Sequence, residues 1–198
     1  QTLVNDLLLL SRLEGSPLPG VNEVVDLGAL MAQCENEARG LSDLLHPDDA
    51  RPQRLYFDAP PPFELTGAAS ELRSAVSNLI NNAVRYTPAG GTIDVHWERL
   101  PDGGARLSVT DTGPGIALEH VPRLGERFYR VDRSRSRESG GTGLGLAITK
   151  HVAQRHGGEL QVSSQLGKGS TFALVFPPPR VRPLPAGAAA VSALAAAA

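Results

Sequence analysis

Leu3, Leu7 and Leu10 recur at helical spacing, with Val4 and Leu8 beside them and Asn5, Asp6, Ser11 and Arg12 between, until the glycines and prolines of residues 15–20 end the helix. A linker follows, and Asp26 is placed to cap a second helix. There Leu27, Leu30, Met31, Cys34, Ala38, Leu41 and Leu45 form one stripe, opposite Glu35, Glu37 and Arg39. Apolar runs at 54–58 and 63–66 predict two short strands on either side of a proline run, and a further helix is predicted over 69–86, stopped by residues 87–91. Ile93, Val95 and Trp97 then alternate with polar residues, residues 101–104 turn the chain, and Leu107 and Val109 resume the alternation up to Asp111. After a long loop rich in glycine and arginine, 144–156 reads as a helix ended by Gly157 and Gly158. Strands at 159–163 and 170–176 are joined by a turn at Gly167-Lys168-Gly169. Helices with mostly hairpin-linked strands predict an α+β two-layer sandwich, a mostly antiparallel sheet with three helices on one face. From Pro177 the chain is rich in Pro and Ala without alternation, so 177–198 is expected to be a disordered tail or a marginal Ala helix.

Composition narrows the class. The 19 basic and 21 acidic side chains leave a formal charge of −2, without the cationic field that non-specific binding to nucleic acid needs, so nucleic acid is not expected as a main partner. With 41% hydrophobic and 20% charged residues, 198 residues suffice for one domain with appendages and a core of its own, which excludes wholesale disorder. The one cysteine, Cys34, lies on an apolar stripe with no histidine near it in sequence, so it reads as core packing and fits a reducing, cytoplasmic setting. No run approaches the roughly 20 apolar residues of a bilayer span, so any tie to a membrane is expected in segments upstream of Gln1. A start inside an apolar pattern without Met is what a fragment of a longer protein would show. Of the 21 glycines, 13 fall between Pro101 and Ser170, which points to loops with a function.

On the helix over 69–86, Asn78 and Asn82 lie ~40° apart, with Glu71 and Arg85 near the same line, while Leu72, Val76, Leu79 and Ala83 form a separate stripe for packing on a sheet. Two asparagines are ordinarily solvated surface. Asparagine is nonetheless a mediocre helix former, and its amide oxygen is a neutral hard ligand able to hold Mg²⁺ without repelling phosphates. Asp111 continues the inward phase of Ala105, Leu107 and Val109, which buries a carboxylate just before Thr112-Gly113-Pro114-Gly115-Ile116. An Asp-initiated turn accounts for this equally well. The alternative is an adenine amino group as hydrogen-bond donor, with Gly113 and Gly115 letting the backbone approach a flat ring.

Gly140-Gly141-Thr142-Gly143-Leu144-Gly145-Leu146 runs into a helix, so its N–H groups can converge on phosphate oxygens at the positive helix end. The pattern fits neither the Walker lysine loop nor the dinucleotide fingerprint. Upstream, Arg123, Arg127, Arg130, Arg133, Arg135 and Arg137 crowd a segment whose acids are Glu126, Asp132 and Glu138. A solvated face is the plain reading, and a mobile lid that pairs with phosphate is the sharper one.

In this order the pieces resemble the catalytic, ATP-binding domain of bacterial sensor histidine kinases, in the general manner of the phosphate-regulon type. Residues 72–86 are similar to the N box, Asp111-Thr112-Gly113-Pro114-Gly115 to the first glycine box, and Glu126-Arg127-Phe128-Tyr129-Arg130 to the F box. Residues 141–146 and 167–172 are similar to the second and third glycine boxes, and 1–15 to the end of the second helix of the dimerisation and phosphoacceptor hairpin. The resemblance implies the Bergerat sandwich shared with the gyrase and MutL ATPases, divided into a hairpin remnant at 1–15, a linker at 16–25, the ATP-binding domain at 26–176 and the tail at 177–198. It also implies that Asn82 coordinates Mg²⁺, that Asn78 and Arg85 attend the phosphates and that Tyr86 flanks the nucleotide. Asp111 would bind the adenine amino group, with Gly113, Gly115 and Ile116 beside it and Thr171 in support. Gly141, Thr142, Gly143, Leu144 and Gly145 would shape the phosphate loop. Arg130 would reach the terminal phosphates, while Phe128 anchors its segment by packing. Asn78 and Arg130 are the residues assigned to the catalytic step.

The implied activity is transfer of the γ-phosphoryl group of Mg-ATP to a histidine, for relay to an aspartate of a response regulator, in a homodimer built on the protein's own dimerisation domain. Asn78 stands where the related ATPases place a water-activating glutamate; an amide cannot take that proton, so hydrolysis is expected to be slow. His46, His96, His120, His151 and His156 are followed by Pro, Trp, Val, Val and Gly, whereas an acidic residue follows the family's acceptor. The acceptor is therefore expected upstream of Gln1, and the Leu3, Leu7, Leu10 stripe is expected to be exposed without its hairpin partner. Gly67-Ala68 replaces a frequent Gly-Asp, which is expected to weaken the start of the next helix. A Bergerat-type ATPase with steady turnover and a non-catalytic interaction module are the other readings. Asn78 speaks against the first, and the presence of Asn82, Asp111 and the glycines against the second.

Overall fold

The computed structural model describes residues 2–47, 51–131 and 141–184. Its helices are α1 (Thr2–Gly15), α2 (Leu27–Leu45), α3 (Ala69–Tyr86) and α4 (Gly145–Arg155). Its strands are β1 (Val24–Val25), β2 (Arg54–Phe57), β3 (Phe63–Thr66), β4 (Thr92–Arg99), β5 (Ala105–Asp111), β6 (Glu159–Gln165), β7 (Gly169–Phe176) and β8 (Val181–Pro183). The main sheet runs β2-β4-β5-β7-β6, antiparallel throughout except for the parallel β2–β4 pair. Alternation decides its faces. Ile93, Val95, Trp97, Leu107, Val109, Leu174 and Phe176 point into a core shared with Leu72, Val76, Leu79 and Ile80 of α3 and Ile148 and Val152 of α4, while Asp94, His96 and Thr110 face solvent. The expected two-layer α+β sandwich is what forms.

Local chemistry sets the helix starts. The Asp26 carboxylate accepts from Ala29 N–H at 2.9 Å and caps α2, an interaction worth about 1 kcal/mol. Ala68, at the start of α3, has no side-chain cap to offer. Instead its own N–H donates to Nε2 of His156, 3.2 Å away, and the imidazole is fully buried with Nδ1–H donating to the Val152 carbonyl at 2.8 Å. Accepting from Ala68 requires the neutral ring, and burial holds its pKa below the ordinary 6.5. The weak start expected of Gly67-Ala68 is thus repaired from the end of α4.

Three expectations are corrected. The linker does not extend to residue 25, because Val24–Val25 pairs with β3, and β8 pairs with β3 on its other side to make a second, three-stranded antiparallel sheet. The chain after Pro177 is not all tail: Pro178–Arg180 forms a 3-10 turn, and the buried Arg180 guanidinium donates to the carbonyls of His156 (3.1 Å), Pro19 (2.9 Å) and Gly20 (2.7 Å). Residues 185–198 of the expected tail lie outside the described residues. Finally, the leucine stripe of α1 is only partly exposed. Leu3 and Leu7 face solvent, but Leu10 and Leu13 are buried where α1 meets α4. Arg155 fixes that junction. It forms a largely buried ion pair with Glu71, with both oxygens at 3.0 Å, and donates to the carbonyls of Leu13 (2.6 Å), Ser16 (3.1 Å) and Pro17 (2.7 Å).

Candidate functional site

A cleft of about 320 Å³ opens between α3, the adjoining ends of β5 and β7, the loop after β5 and the start of α4. Asn78, Asn82, Arg85, Tyr86, Asp111, Gly115, Ile116, Arg130, Gly141, Thr142, Gly143 and Gly145 all line it. Three predicted residues do not: Gly113, Leu144 and Thr171.

At one end of the cleft lies Asp111, buried at the close of β5 and directly opposite Ser170 of β7. Its Oδ1 accepts from Gly113 N–H at 2.7 Å, yet burial outweighs the backbone donors of Gly113 and Ser170 and raises the carboxyl pKa above its usual 3.8. A buried carboxylate of this kind gains most from one more donor, and an exocyclic amino group is such a donor. The glycines here are required by the packing around them. A Cβ on Gly113 would stand 2.7 Å from Asp111 Oδ1 and 2.8 Å from the Tyr86 carbonyl, and one on Gly115, at φ 70°, would run into the Gln165 carbonyl. The loop after β5 is held against the β6–β7 turn by Gly167 N–H to the Pro114 carbonyl (2.7 Å) and Ile116 N–H to Ser164 Oγ (2.8 Å).

The pleat corrects the position of Thr171. It pairs with Thr110 on the far face of the sheet, their hydroxyls 3.0 Å apart, so it cannot support a group bound at Asp111. Ser170 has that place and lines the cleft. Counting back in twos from Phe172 and Leu174 would have found it.

At the other end, α4 starts at Gly145, whose carbonyl accepts from Asn78 Nδ2 at 3.2 Å and Thr149 Oγ1 at 2.9 Å. Leu144 is fully buried; its N–H donates to Thr142 Oγ1 at 3.2 Å, so its side chain belongs to the core and its backbone to the loop. Gly143 sits at φ 74° with its carbonyl receiving Phe128 N–H at 2.9 Å, and the Arg130 guanidinium donates to the Gly141 carbonyl. Phe128 does not anchor the segment. It is 58% exposed at φ 62°, and the packed aromatic is Tyr129, which hydrogen-bonds His120 Nδ1 at 2.7 Å beneath the Arg123 guanidinium, 4.1 Å from the ring centroid. Arg133, Arg135 and Arg137 of the expected lid lie outside the described residues.

Asn81 and Asp6 also line the cleft and were not anticipated. Asn81 follows from helical geometry, one turn on from Asn78, whereas Asp6 arrives from α1 across a linker and no local pattern signals it. Among the described residues no group of three or more His, Cys, Asp and Glu side chains could hold a metal. A cation here would therefore draw most of its ligands from phosphate and water around one amide such as Asn82, which is the habit of Mg²⁺.

A two-layer sandwich whose cleft brings a buried acid and a glycine-rich helix start together has the layout of a nucleotide-binding domain. Residues 67–180 match the family of histidine kinase-, DNA gyrase B- and HSP90-like ATPases, and the chain belongs to that family. It is 51% identical to the phosphate regulon sensor protein PhoR of Pseudomonas aeruginosa over 91% of its length and 39% of that protein's. It is 38% identical to the sensor-like histidine kinase SenX3 of Mycolicibacterium smegmatis, over 88% of its length and 44% of that protein's. The chain thus spans about two-fifths of these curated relatives. Among solved structures, the mycobacterial sensor histidine kinase MprB superposes with a TM-score of 0.65 at 29% identity, covering 82% of this chain and all of that one. Full-length ShkA in complex with AMPPNP superposes with a TM-score of 0.72 at 29% identity, over 93% of this chain and 36% of that one. The domain is similar in sequence and in fold to the corresponding parts of these sensor histidine kinases. Among the described residues, no helix is long and apolar enough to cross a membrane.

Proposed function

We propose that the domain binds Mg-ATP in this cleft and hands the γ-phosphoryl group to a histidine outside these 198 residues, from which it passes to an aspartate of a response regulator. The observation that supports this is the convergence of Asp111, the Asn78–Asn82 face of α3 and the 141–145 loop on one cleft. Asp111 would accept from the adenine amino group. The 141–145 backbone, at the positive end of α4, would hold phosphate oxygens, and Arg85 and Arg130 would add charge. Asn82 would hold Mg²⁺, which when bound offsets the negative charge of the phosphates. In the transfer, the bond from the γ-phosphorus to the ADP oxygen breaks as one to an imidazole nitrogen forms. Asn78 offers an amide where hydrolysis would need a base, which favours transfer over turnover with water. The partners in this reading are the protein's own dimerisation and phosphoacceptor helices, a second copy in a homodimer, and the regulator. The domain would lie on the cytoplasmic side of a membrane-anchored sensor.

Calorimetric titration with Mg-AMPPNP tests the site. Asn82→Ala should lose Mg²⁺-dependent affinity with its circular dichroism intact, and equal affinity in the variant would remove the metal assignment. With γ-labelled ATP, the domain should label a separately supplied phosphoacceptor hairpin and not itself; strong self-labelling would place an acceptor within the chain after all.

A further inference from the structure

The cleft has one wall that belongs to none of the nucleotide motifs. Asp6 of α1 lines it, and Asp6 Oδ2 accepts a 2.6 Å hydrogen bond from the Thr142 hydroxyl. The same hydroxyl accepts from Leu144 N–H at 3.2 Å, immediately ahead of α4. A carboxylate is therefore held by the Thr142 hydroxyl at the positive end of α4, where the loop N–H groups and the helix dipole would draw a phosphate. The helix that carries it is fastened elsewhere: Glu14 pairs with Arg127, Arg155 grips the Leu13 carbonyl, and Leu10 and Leu13 are buried. In its first half Val4 and Leu8 are at the surface, and the Asp6–Thr142 bond is the contact made with the cleft.

We infer that α1 is a displaceable anionic plug of the phosphate end: Asp6 competes with nucleotide phosphates for the Thr142 loop, so nucleotide binding and release of α1 are coupled. The inference rests on the reading that the cleft takes ATP. Two anions cannot share the loop without repulsion, and Thr142 can donate its single hydroxyl proton to one of them. The bond that Asp6 makes is to the Thr142 loop, so a ligand without phosphate should not sense the plug. Coupling of two binding events is reciprocal, so whatever factor the plug takes from nucleotide affinity, nucleotide takes from the docking of α1.

Two variants separate charge from contact. Asp6→Asn keeps an oxygen for Thr142 and removes the negative charge, while Glu14→Arg repels Arg127 and loosens α1 without touching the cleft. Both should bind ADP about tenfold tighter than the unaltered protein in calorimetry at low salt. Adenosine should bind all three equally. Saturating ADP should also raise hydrogen exchange of the α1 amides in the unaltered protein. Equal ADP affinities across the three proteins would overturn the plug, as would a matching gain for adenosine, or α1 protection that ADP leaves unchanged. If neither ADP nor adenosine bound any of the three, the ATP reading itself would fall, a result distinct from equal and measurable affinities.

Discussion

The two ends of the cleft are built from different materials. The Asp111 end is backbone packed on backbone. Asp111 sits between Ile93 of β4 and Ser170 of β7, Thr92 N–H is bonded to Thr112 Oγ1 at 2.8 Å, and Gly169 lies so close that a Cβ there would collide with the Asp111 carbonyl. The glycine-loop end is held mainly by side chains reaching a loop: Arg130 to Gly141, Asn78 to Gly145, Thr142 to Asp6 of a helix that also bears exposed leucines. A pocket built of packed backbone is preformed, and a loop held by side chains can rearrange at the cost of a few side-chain hydrogen bonds. That division suits a domain whose proposed task is to keep hold of the adenine while giving the terminal phosphate away.

The largest expected effect comes from putting the same methyl group at both ends. Gly169→Ala forces a side chain into the Asp111 carbonyl at φ 121°, and should cost about 3 kcal/mol or more of unfolding free energy in denaturant titration. Gly141→Ala meets nothing nearer than the Arg130 guanidinium at 3.7 Å, and should leave stability within about 0.5 kcal/mol. Similar losses at the two sites would erase the distinction. Next in size is Asp111→Asn, which should weaken AMPPNP binding by about thirtyfold, or roughly 2 kcal/mol, the worth of a hydrogen bond to a charged acceptor. It should not lower stability. The folded-state pKa of Asp111 is raised, so the folded form binds more protons than the unfolded one just above pH 3.8, and Asp111's contribution to stability falls as pH rises through the raised value. The Asn variant should lack that fall; an unfolding free energy well below that of the unaltered protein would show the carboxylate to be structural.

How much of this was legible in the sequence depended on the length of each pattern. Helix α3 has the bounds its apolar stripe predicts, and the β4–β5 hairpin follows from alternation carried through to Asp111, because those elements repeat their signal over several turns or pleats. Strands β1 and β8 are two and three residues long, too short for any periodicity, and they form where each pairs with β3 and Arg180 bonds the carbonyls of Pro19 and Gly20. The site divided in the same way. Asn78, Asn82 and Asp111 were visible as breaks in regular patterns. Thr171 was misplaced because a motif match does not respect the pleat, in which a shift of one residue turns a side chain to the other face. The docking of α1 had no local sign, since it depends on Arg155 meeting carbonyls that lie more than a hundred residues away in sequence.

The smallest effect concerns α4, the element that joins the phosphate loop to the back of the sandwich. Its C-terminal His156 must stay neutral to receive Ala68 N–H, and burial lowers its pKa from 6.5. A folded-state pKa below the unfolded one means that the unfolded chain binds the extra proton first. The contribution of His156 is therefore complete above about pH 6.5 and shrinks as pH falls, by at most ~1.4 kcal/mol per pH unit, until the folded-state value is reached. Stability in urea titrations should therefore fall between pH 7.5 and 5.5. His156→Gln keeps an oxygen for Ala68 N–H but cannot titrate, so it should start from a lower stability and lack that part of the slope. Because the glycine loop leads directly into α4, the same protonation should loosen that end of the cleft before the Asp111 end. Hydrogen exchange at pH 5.5 should then rise around 145–149 while β5 and β7 stay protected. Uniform loosening of both ends would mean that α4 and the sheet open as one unit, and that the two ends differ in composition but not in freedom.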